Sequence, residues 1–504
     1  MSDINATSDH SPMPDTVLGL LPLDAKGPAL LSVDGNVVDY ETLRREVDRL
    51  AAQLRSAGLG PKDRIAIVLP NGPAMAFVLL AAMAVGCAAP LNPKYREEEF
   101  RFYLDDLHAS ALLTFEGASP AAHAAAPEGT IPITVLSEGL TVDLVPPFAR
   151  KSSTARPTAD DHALVLHTSG TTSRPKIVPL RQRNLARSAR NIASSLDLTA
   201  VDRSLNVMPL FHIHGMMAGF LAPLSAGGSV VCTPGFDAFA FHRWVDELHP
   251  SYYSAVPTMH QMVLARAPAL RPTTLRFVRS SSAALPESVS ERLRGLFDTP
   301  IIEAYGMTEA THQMTSNPLP PGQTKSGSVG VARGIEVAIL DAQNHVLAHG
   351  LRGEVSIRGE TIVDGYENNP SANASAFTAG WFRTGDEGML DEDGFLFLTG
   401  RLKEQINRGG EKISPIEIDE VLLRHPAVAE AVAFAIPHDK LGEEIGAAVV
   451  LAEGKEVTER ELRSYLGERL AAFKVPRRIV IVAEIPKGAT GKIQRIGLAE
   501  KLGP

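Results

Sequence analysis

Cysteine is scarce in this chain of 504 residues. Only Cys87 and Cys232 occur, and neither belongs to a CxxC pair or a Cys/His cluster. We therefore expect neither a disulfide framework nor a structural zinc site. Two isolated thiols are typical of buried small apolar side chains in a reducing compartment, so we expect a cytoplasmic protein.

Positive charge and long apolar runs are also lacking. The chain has 49 Lys and Arg against 58 Asp and Glu, a net charge of −9, whereas broad nucleic-acid binding needs a basic face. The best candidate for a membrane span, residues 74–89, contains Gly86 and is shorter than the roughly 20 residues that cross a bilayer. We predict a buried helix there. The first residues carry no signal-peptide pattern. We expect a disordered tail over 1–16. For the whole chain we expect neither nucleic-acid nor membrane partners.

Strand-like and helix-like stretches alternate over the first few hundred residues. Leu43, Val47, Leu50 and Leu54 mark one face of a helix that ends near Gly58. Short apolar runs predict strands, which we place at 64–69, 163–166, 204–207, 229–232 and 274–278. This alternation predicts an α/β fold with largely parallel sheets.

The sequence pattern changes from about residue 330, where short strands and Gly/Asp turns predict a β-rich subdomain. A tight turn is predicted at 399–404. The final hundred residues predict an α+β unit, with helices at 415–425 and 458–470 and strands at 431–434 and 447–451. We therefore predict a large N-terminal domain over 17–400, a hinge at 401–404 and a small C-terminal domain over 405–504.

The strongest local motif is HTSGTTSRPK, at 167–176, directly after an apolar strand. Its glycine permits a tight backbone, its Ser and Thr offer hydroxyls, and Lys176 adds a cation. Backbone N–H groups and hydroxyls in such a loop can wrap the oxygens of a polyphosphate. The Walker spacing GxxxxGK[ST] is absent. By itself, a Ser/Thr/Gly-rich turn is more often only a flexible loop.

This motif resembles the phosphate-binding signature of the adenylate-forming superfamily, which contains acyl-CoA synthetases, luciferases and peptide-synthetase adenylation domains. Ser173 and Ile177 stand where that signature usually has glycines. The resemblance implies a set of ATP-binding residues in the loop: Thr168, Ser169, Gly170, Thr171, Thr172 and Lys176.

Two further segments resemble the nucleotide site of the superfamily. EAYGMTE, at 303–309, implies that Glu303, Ala304, Tyr305 and Thr308 bind the nucleotide, with Tyr305 against adenine and Thr308 near the α-phosphate. Glu309 is the implied magnesium ligand, in keeping with the preference of this hard cation for carboxylate oxygen. SSSAAL, at 280–285, implies that Ser282 and Ala283 form the other wall of the pocket. Alone, a Glu after a Thr is more often a helix-cap feature.

The remaining motifs follow in the order that the superfamily requires. The resemblance implies that Asp386 and Arg401 bind the ribose, that Lys403 is the hinge residue, and that Gly409 and Gly410 border the CoA thiol channel. PKGATGKIQR, at 486–495, resembles the loop that carries the catalytic lysine, here Lys492. An ammonium there can bridge the substrate carboxylate and the α-phosphate. The implied catalytic residues are Lys492, Thr308 and Glu309, and the implied C-terminal domain is mobile, because it rotates between the two half-reactions.

Several stretches also resemble oxalate–CoA ligases, among them PLFHIHG at 209–215, RSSS at 279–282 and EATHQM at 309–314. The resemblance implies an acid-substrate site at His214, Ser280, Ser281 and His312. A second substrate carboxylate must be neutralised inside the pocket, and imidazole and hydroxyl donors suit a small dianion better than a fatty tail. A histidine is nevertheless more often structural, and we expect His260 to be so.

We therefore expect an acid–thiol ligase that uses ATP, Mg²⁺ and CoA, acts on a small carboxylic acid, oxalate first, and is a monomer or homodimer. Another short-chain, fatty or aromatic acid stays open as the substrate. A luciferase-like monooxygenase is an alternative of another class, since it shares the adenylation step. A non-catalytic carrier-linked module is disfavoured by Lys492 and by the lack of an appended carrier domain. No GxSxG elbow points to a serine hydrolase.

Overall fold

The computed structural model describes residues 15–146, 153–168, 175–267, 273–487, 493 and 495–502. Asp15 and Thr16, at the end of the predicted tail, are among them. Asp15 pairs with Arg187 and Arg190 at 3.2 and 2.9 Å, and Thr16 is buried. The rest of that predicted tail lies outside the described residues.

The first two-thirds of the chain builds two large sheets. In chain order their strands are β1 (Pro28–Ser32), β2 (Val37–Asp39), β3 (Arg64–Val68), β4 (Cys87–Pro90), β5 (Ala111–Phe115), β6 (Ile131–Glu138), β7 (Thr141–Val145), β8 (His162–Thr168), β9 (Lys176–Arg181), β10 (Arg203–Asn206), β11 (Ser229–Cys232), β12 (Tyr252–Ala255), β13 (Phe277–Ser280), β14 (Ile301–Met307), β15 (His312–Ser316) and β16 (Val331–Ala332). One sheet has the order β7-β6-β5-β3-β4-β8-β9, and the other has β16-β15-β14-β13-β12-β10-β11-β1-β2. Both are parallel inside and antiparallel at their edges, as the alternating pattern predicts.

Helices cover the faces of these sheets. They are α1 (Tyr40–Ser56), α2 (Pro73–Met83), α3 (Glu97–Leu107), α4 (Pro120–Ala125), α5 (Gln182–Ser195), α6 (Ile213–Met216), α7 (Ala222–Ser225), α8 (Phe241–Leu248), α9 (Pro257–Ala265) and α10 (Glu287–Phe297), with a π-helical turn at Met217–Leu221 between α6 and α7. One apolar cluster joins α1, α2 and α5 to side chains from both sheets. The two sheets therefore share a single helical layer as their main core.

The apolar periodicity of α1 is confirmed. Leu43, Val47, Leu50 and Leu54 are all buried, and the Asp39 carboxylate caps the helix by accepting from the Thr42 N–H at 2.7 Å. Cys87 and Cys232 are buried as predicted, and burial raises the pKa of each thiol to about 12. The strand predicted at 274–278 is wrong in its position, because the observed strand is Phe277–Ser280.

The prediction of one buried helix over 74–89 is wrong in its second half. The helix ends at Met83, and Cys87–Pro90 forms strand β4 instead. Gly86 packs so closely on the backbone that a Cβ there would lie 2.6 Å from the Asp63 carbonyl oxygen. This close approach directs the chain from the helix into the sheet, which an apolar run alone does not reveal.

A third sheet follows, as the change of sequence pattern at about residue 330 predicts. Its strands are β17 (Glu336–Leu340), β18 (Gly353–Arg358), β19 (Phe377–Thr378), β20 (Trp381–Leu390) and β21 (Leu396–Arg401), and helix α11 (Pro370–Ala376) precedes β19. The order β17-β18-β20-β19, with β21 also paired to β20, is antiparallel. The turn predicted at 399–404 is wrong for its first part, since β21 continues to Arg401.

The last hundred residues form a separate sheet with apolar clusters of its own. The elements are β22 (Ile406–Arg408), β23 (Glu411–Ile413), α12 (Pro415–Leu423), β24 (Val428–His438), β25 (Gly442–Leu451), α13 (Glu459–Gly467), β26 (Arg478–Ile481) and α14 (Leu498–Leu502). The predicted fold class, with a large α/β N-terminal domain and a small C-terminal domain, is confirmed. The exact boundaries, 400 and 405, stay predictions.

None of the helices in the described ranges combines the length and the apolar character that a bilayer crossing requires.

Candidate functional site

Asp386 is held between donors from two other strands. It lies on β20, is 6% exposed, and is paired in register with Arg401 on β21. Arg401 Nε donates to Asp386 Oδ1 at 2.9 Å, and the Tyr305 hydroxyl donates to Oδ2. Burial, reinforced by this carboxylate, raises the pKa of Tyr305 well above its usual value, so the phenol remains a donor. The structure thus brings together three residues that the sequence predicts for nucleotide binding.

A second cluster joins the end of the phosphate-loop motif to Glu309. Lys176 opens β9, and its Nζ lies 4.3 Å from the centroid of the Tyr366 ring. The Tyr366 hydroxyl donates to Glu309 Oε1 at 2.8 Å, and Glu309 is 6% exposed in the 3-10 turn Thr308–Ala310. Burial lowers the pKa of Lys176, while the Glu309 carboxylate opposes that shift. The sequence did not indicate Tyr366, because only the fold brings it to Glu309.

Glu309 fits the role of a magnesium ligand. Mg²⁺ usually takes one or two carboxylates and completes its shell with substrate phosphates and waters. Tyr366 contacts Oε1, and Oε2 accepts no hydrogen bond from a described residue. Groups of three or more His, Cys, Asp or Glu arranged for a metal do not occur within the described ranges. A magnesium ion here would therefore depend on nucleotide phosphates for several of its ligands.

Other predicted nucleotide residues lie at the end of β8, just after β13 and within β14. Thr168 closes β8, opposite Lys176 in register, and Ala304 is buried on β14. Ser282 has a left-handed backbone with φ of 75°, and Ala283 is exposed beside it. The predicted residues Ser169, Gly170, Thr171, Thr172 and Lys492 lie outside the described residues.

Glu303 lies on β14 and faces the C-terminal part of the chain. Its carboxyl group borders a cleft that is also lined by Glu287 on α10 and by Glu420 and Arg424 on α12. Burial raises the pKa of Glu303 to about 7, and Glu420 and Glu287 add to the shift. This predicted nucleotide residue therefore also lies where helix α12 meets the N-terminal domain.

Two stacked imidazoles form the centre of the predicted acid site. His214 on α6 and His312 on β15 are 0% and 1% exposed, with ring centroids 4.8 Å apart and planes inclined by 20°. The Nε2 atom of His214 lies 2.6 Å from Ser254 Oγ, and its Nδ1 lies 3.1 Å from Ser282 Oγ. His212 accepts from the His214 N–H at the start of α6. The two predicted histidines are therefore in contact, although they are far apart in the chain.

Arg279 lies beside this pair and is completely buried. Its Nη1 donates to Ser254 Oγ at 3.1 Å and to His312 Nε2 at 3.2 Å, and its Nη2 donates to Gln313 Oε1 at 3.1 Å. Within the part of the chain that is described, the guanidinium has no Asp or Glu at ion-pair distance. Burial lowers the pKa of Arg279 to about 10, which still leaves it charged at neutral pH.

Ser280 and Ser281 complete the predicted acid site. Each is 1% exposed, and neither hydroxyl has a hydrogen-bond partner among the described residues. A buried polar atom without a partner is rare in folded proteins and indicates a place for an unseen ligand or water. The cluster therefore offers hydroxyl and imidazole groups to a small polar ligand.

The acid cluster lies at the carboxyl ends of parallel strands. Ser254 is the next-to-last residue of β12, and Arg279 is the next-to-last residue of β13. The two residues are paired in register. In open α/β sheets this edge is where ligands usually bind. The sequence did not single out Ser254, Arg279 or Gln313. Arg279 directly precedes three serines that are predicted site residues, and its burial could not be read from the sequence.

His260, which we expect to be structural, lies beside the backbone of Arg279 and Ala255. It is fully buried on α9, and its Nδ1 lies 3.1 Å from the Tyr253 hydroxyl. Burial lowers its pKa to about 3, so the ring is neutral.

The predicted CoA-binding glycines lie in the turn between β22 and β23. Gly409 and Gly410 have φ of 62° and 97°, in the left-handed region that favours glycine. Next to them, Arg408 donates to both carboxylate oxygens of Glu444, at 2.5 and 3.1 Å. The predicted hinge residue Lys403 is exposed after β21, near enough to Lys176 to lower the pKa of that ammonium slightly.

Arg495, in the motif that carries Lys492, pairs with one residue of the predicted hinge and with one residue after it. Its Nη2 lies 2.5 Å from Asp419 on α12, and its Nε lies 3.4 Å from Glu404. Its Nη1 also donates to the Ala433 carbonyl at 2.9 Å. The end of this motif is therefore fixed to the body of the C-terminal domain.

Comparisons with known proteins cover nearly the whole chain. The model of the AMP-binding enzyme family matches residues 25–367, and that of the AMP-binding enzyme C-terminal domain matches 417–492. The chain is 46% identical over 501 residues to the oxalate–CoA ligase of Arabidopsis thaliana, with 95% of this chain and 97% of that protein covered. It is 43% identical over 471 residues to the oxalate–CoA ligase of Saccharomyces cerevisiae, with 87% of each covered. The ATP-bound crystal structure of MatB from Rhodopseudomonas palustris matches with a TM-score of 0.89 at 27% identity, over 97% of this chain and 99% of that one.

Proposed function

The chain belongs to the AMP-binding enzyme family, and we propose that it is an acid–thiol ligase that converts oxalate, ATP and CoA to oxalyl-CoA, AMP and diphosphate. Direct attack of a thiol on a carboxylate fails, because oxide is a poor leaving group. An acyl-adenylate supplies a good one, and an enclosed site protects that intermediate from water. This route through an acyl-adenylate needs no nucleophilic side chain.

The observation that carries the choice of acid is the buried polar pocket. His214 and His312 are stacked, the Ser280 and Ser281 hydroxyls lack partners among described residues, and a buried guanidinium lies beside them. An apolar acyl chain in such a pocket would leave the two serine hydroxyls unsatisfied, at about 1–3 kcal/mol each. A small dianion would satisfy them. The two relatives named oxalate–CoA ligase support the same choice.

In the first half-reaction, a carboxylate oxygen of the acid attacks the α-phosphorus of ATP, and diphosphate leaves. Thr308, Lys176 and the loop around Thr168 hold the phosphates, while Asp386 and Arg401 bind the ribose and Tyr305 lies against adenine. Lys492 neutralises charge on the acid carboxylate and the α-phosphate. A Mg²⁺ ion bound by Glu309 would neutralise phosphate charge.

In the second half-reaction, the CoA sulfur attacks the acyl carbon, AMP leaves, and the thiol proton is released. We propose that the C-terminal domain turns about Lys403 between the two steps, withdrawing Lys492 and bringing Gly409 and Gly410 to the thiol channel. Two left-handed glycines permit the close backbone approach that such a channel needs. We further propose a cytoplasmic enzyme that acts as a monomer or homodimer.

A panel of acids tests this function. Purified enzyme receives ATP, Mg²⁺ and CoA with oxalate, malonate, acetate, octanoate or coumarate, and AMP release and the thioester mass are measured. We expect kcat/KM for oxalate to exceed that for acetate by roughly a thousandfold, since a site built for hydrogen bonds rejects an analogue that lacks the bonding group.

The control for this panel is Lys492→Ala, which should bring AMP release with every acid to the background. Turnover of octanoate or coumarate without any of oxalate would contradict the oxalate proposal but retain the ligase class. Light emission or oxygen uptake without thioester formation would contradict the ligase class itself.

A further inference from the structure

Arg279 combines complete burial with a network made only of neutral partners. Its contacts are Ser254, His312 and Gln313, at 3.1 to 3.2 Å. Gln313 in turn donates through Nε2 to Ser195 Oγ at 3.0 Å, which fixes its amide so that Oε1 faces the guanidinium. A buried charge without a counter-ion is strongly unfavourable. An arginine kept in this state points to a function for its charge or for its donors.

The donor-only chemistry of arginine determines the proton on His312. A guanidinium N–H can donate a hydrogen bond but cannot accept one. Since Arg279 Nη1 lies 3.2 Å from His312 Nε2, that nitrogen must be the acceptor. In the neutral ring the proton is therefore on Nδ1.

The same reasoning reaches His214 through Ser254. Ser254 Oγ accepts from Arg279 Nη1 at 3.1 Å and lies 2.6 Å from His214 Nε2. The Ser254 hydroxyl is buried, and donating to His214 gives its single proton a partner. His214 Nε2 is then an acceptor, so its proton is also on Nδ1, 3.1 Å from Ser282 Oγ. One guanidinium thus orients a directed chain of hydrogen bonds that ends at the loop predicted to border the nucleotide.

We propose that Arg279 is a positioning and specificity-determining residue, which holds His312 and His214 as neutral Nδ1–H donors and supplies the buried positive charge that favours a doubly charged acid. This inference rests on the proposed function for the identity of the acid. Two parallel imidazoles 4.8 Å apart beside a guanidinium would repel each other if both were protonated. Neutral rings with fixed donors avoid that repulsion, while Arg279 keeps the region positive.

Arg279→Met keeps an unbranched apolar stem in place of that of arginine and removes the charge and the donors. We expect the KM for oxalate to rise about 10-fold or more, as for the loss of a charge-assisted interaction. The KM for ATP should change less than about threefold, because the guanidinium contacts no predicted nucleotide residue directly. Arg243→Met, at an exposed arginine on α8, is the control and should alter neither constant.

The tautomers provide a readout that does not depend on the substrate. In protein labelled with 15N-histidine, we expect the wild-type His312 and His214 signals to show protonated Nδ1 and unprotonated Nε2. Each signal is assigned by its loss in a His→Gln variant. Arg279→Met should move the His312 proton population toward Nε2. Ser254→Ala should change the His214 signal and leave that of His312 unchanged, which tests the same network if Arg279→Met does not fold.

Four outcomes are distinguishable. A selective rise in oxalate KM together with the tautomer changes supports the inference. An equal rise of the oxalate and ATP constants, or His312 unchanged in Arg279→Met, overturns it. With Arg279→Met unfolded, a His214 signal unmoved by Ser254→Ala overturns it as well. If the wild-type enzyme does not use oxalate, the proposed function fails, and the histidine signals still decide the role of Arg279.

Discussion

His312 of the acid pocket and two residues next to pocket residues in the chain have a left-handed backbone without being glycine. Ser282, Thr311 and His312 have φ of 75°, 52° and 86°, and such conformations cost of order 1–3 kcal/mol each. They persist because the surroundings fix them: a Cβ on Gly306 would lie 1.8 Å from the His312 carbonyl oxygen. The strain lies where the imidazole and hydroxyl groups of the pocket must have defined directions.

At the nucleotide side, Asp386→Asn tests the proposed ribose contact. The substitution keeps the shape of the side chain but removes the charge that pairs with Arg401 at 2.9 Å and accepts from Tyr305. We expect the KM for ATP to rise about 10-fold or more, as for a lost hydrogen bond to a charged group. The KM for the acid should change less than about threefold. Steady-state kinetics with each substrate varied in turn measures both.

Glu387→Gln is the matched control, since Glu387 is the next residue of β20 and its side chain points to the opposite face, where it accepts from Thr399. It should leave the KM for ATP unchanged. If Asp386→Asn and Glu387→Gln behaved alike, or if the acid KM rose as much as that of ATP, Asp386 would not be a specific ribose ligand.

At the scale of elements, Gly86 sets how α2 connects to β4. A Cβ at this position would lie 2.6 and 2.7 Å from the carbonyl oxygens of Asp63 and Gly60, and backbone atoms cannot move aside as a flexible side chain can. We therefore expect Gly86→Ala to destabilise the protein by about 1–3 kcal/mol, the range for overpacking. A lower Tm in thermal unfolding followed by circular dichroism would show this.

Gly295→Ala is the comparison for Gly86→Ala. Gly295 lies inside helix α10, and a Cβ there would meet nothing within 4 Å. Alanine should raise stability by about 0.5–1 kcal/mol, because it restricts the unfolded chain and favours the helix. Equal effects of the two substitutions would mean that the close approach at Gly86 does not set the connection.

Elements were predictable from the sequence where one local pattern decides them. The period of Leu43, Val47, Leu50 and Leu54 is enough to define α1, and the short apolar runs are enough for several parallel strands. The run over 74–89 was not, because Gly86 acts through a contact with a distant loop. The same limit applies to the site: His214 and His312 carry a recognisable motif, whereas Arg279 acquires its meaning only from burial beside them.

At the scale of the whole molecule, Glu303 of the N-terminal sheet borders a cleft that helix α12 also lines. Its pKa is raised to about 7 from the ordinary value of 4.5, chiefly by burial. The folded state therefore holds this proton more tightly than the unfolded state, and stability falls as pH rises from about 4.5 to about 7. Glu303→Gln removes the titration. We expect the Tm of the variant, relative to wild type without nucleotide, to increase between pH 5 and pH 8.

The control is Glu392→Gln, at an exposed carboxylate in the turn before β21. Its Tm difference from wild type should be the same at pH 5 and pH 8. A Glu303→Gln difference that is also independent of pH would contradict a raised pKa for Glu303 in the folded protein.

The proposed rotation of the C-terminal domain predicts that substitutions in its two functional loops impair different half-reactions. We propose that Lys492 acts in adenylation, so Lys492→Ala should lower diphosphate release by about 10²–10³-fold. It should largely spare thioester formation from supplied acyl-AMP and CoA. Gly410→Val should do the reverse, because a β-branched residue is strained at φ of 97° in the turn proposed to border the thiol.

Measuring each variant in both half-reactions, with diphosphate release for the first and thioester mass for the second, gives a two-by-two comparison. Gly394→Val is the control for backbone strain, since the half-buried Gly394 has φ of 79° in the turn before β21, in the N-terminal domain. It should affect both half-reactions little. Parallel losses for Lys492→Ala in both steps would contradict its restriction to adenylation. Because the two loops belong to one domain, a crossed pattern requires that this domain present them to the acid site one after the other, which a fixed orientation cannot do.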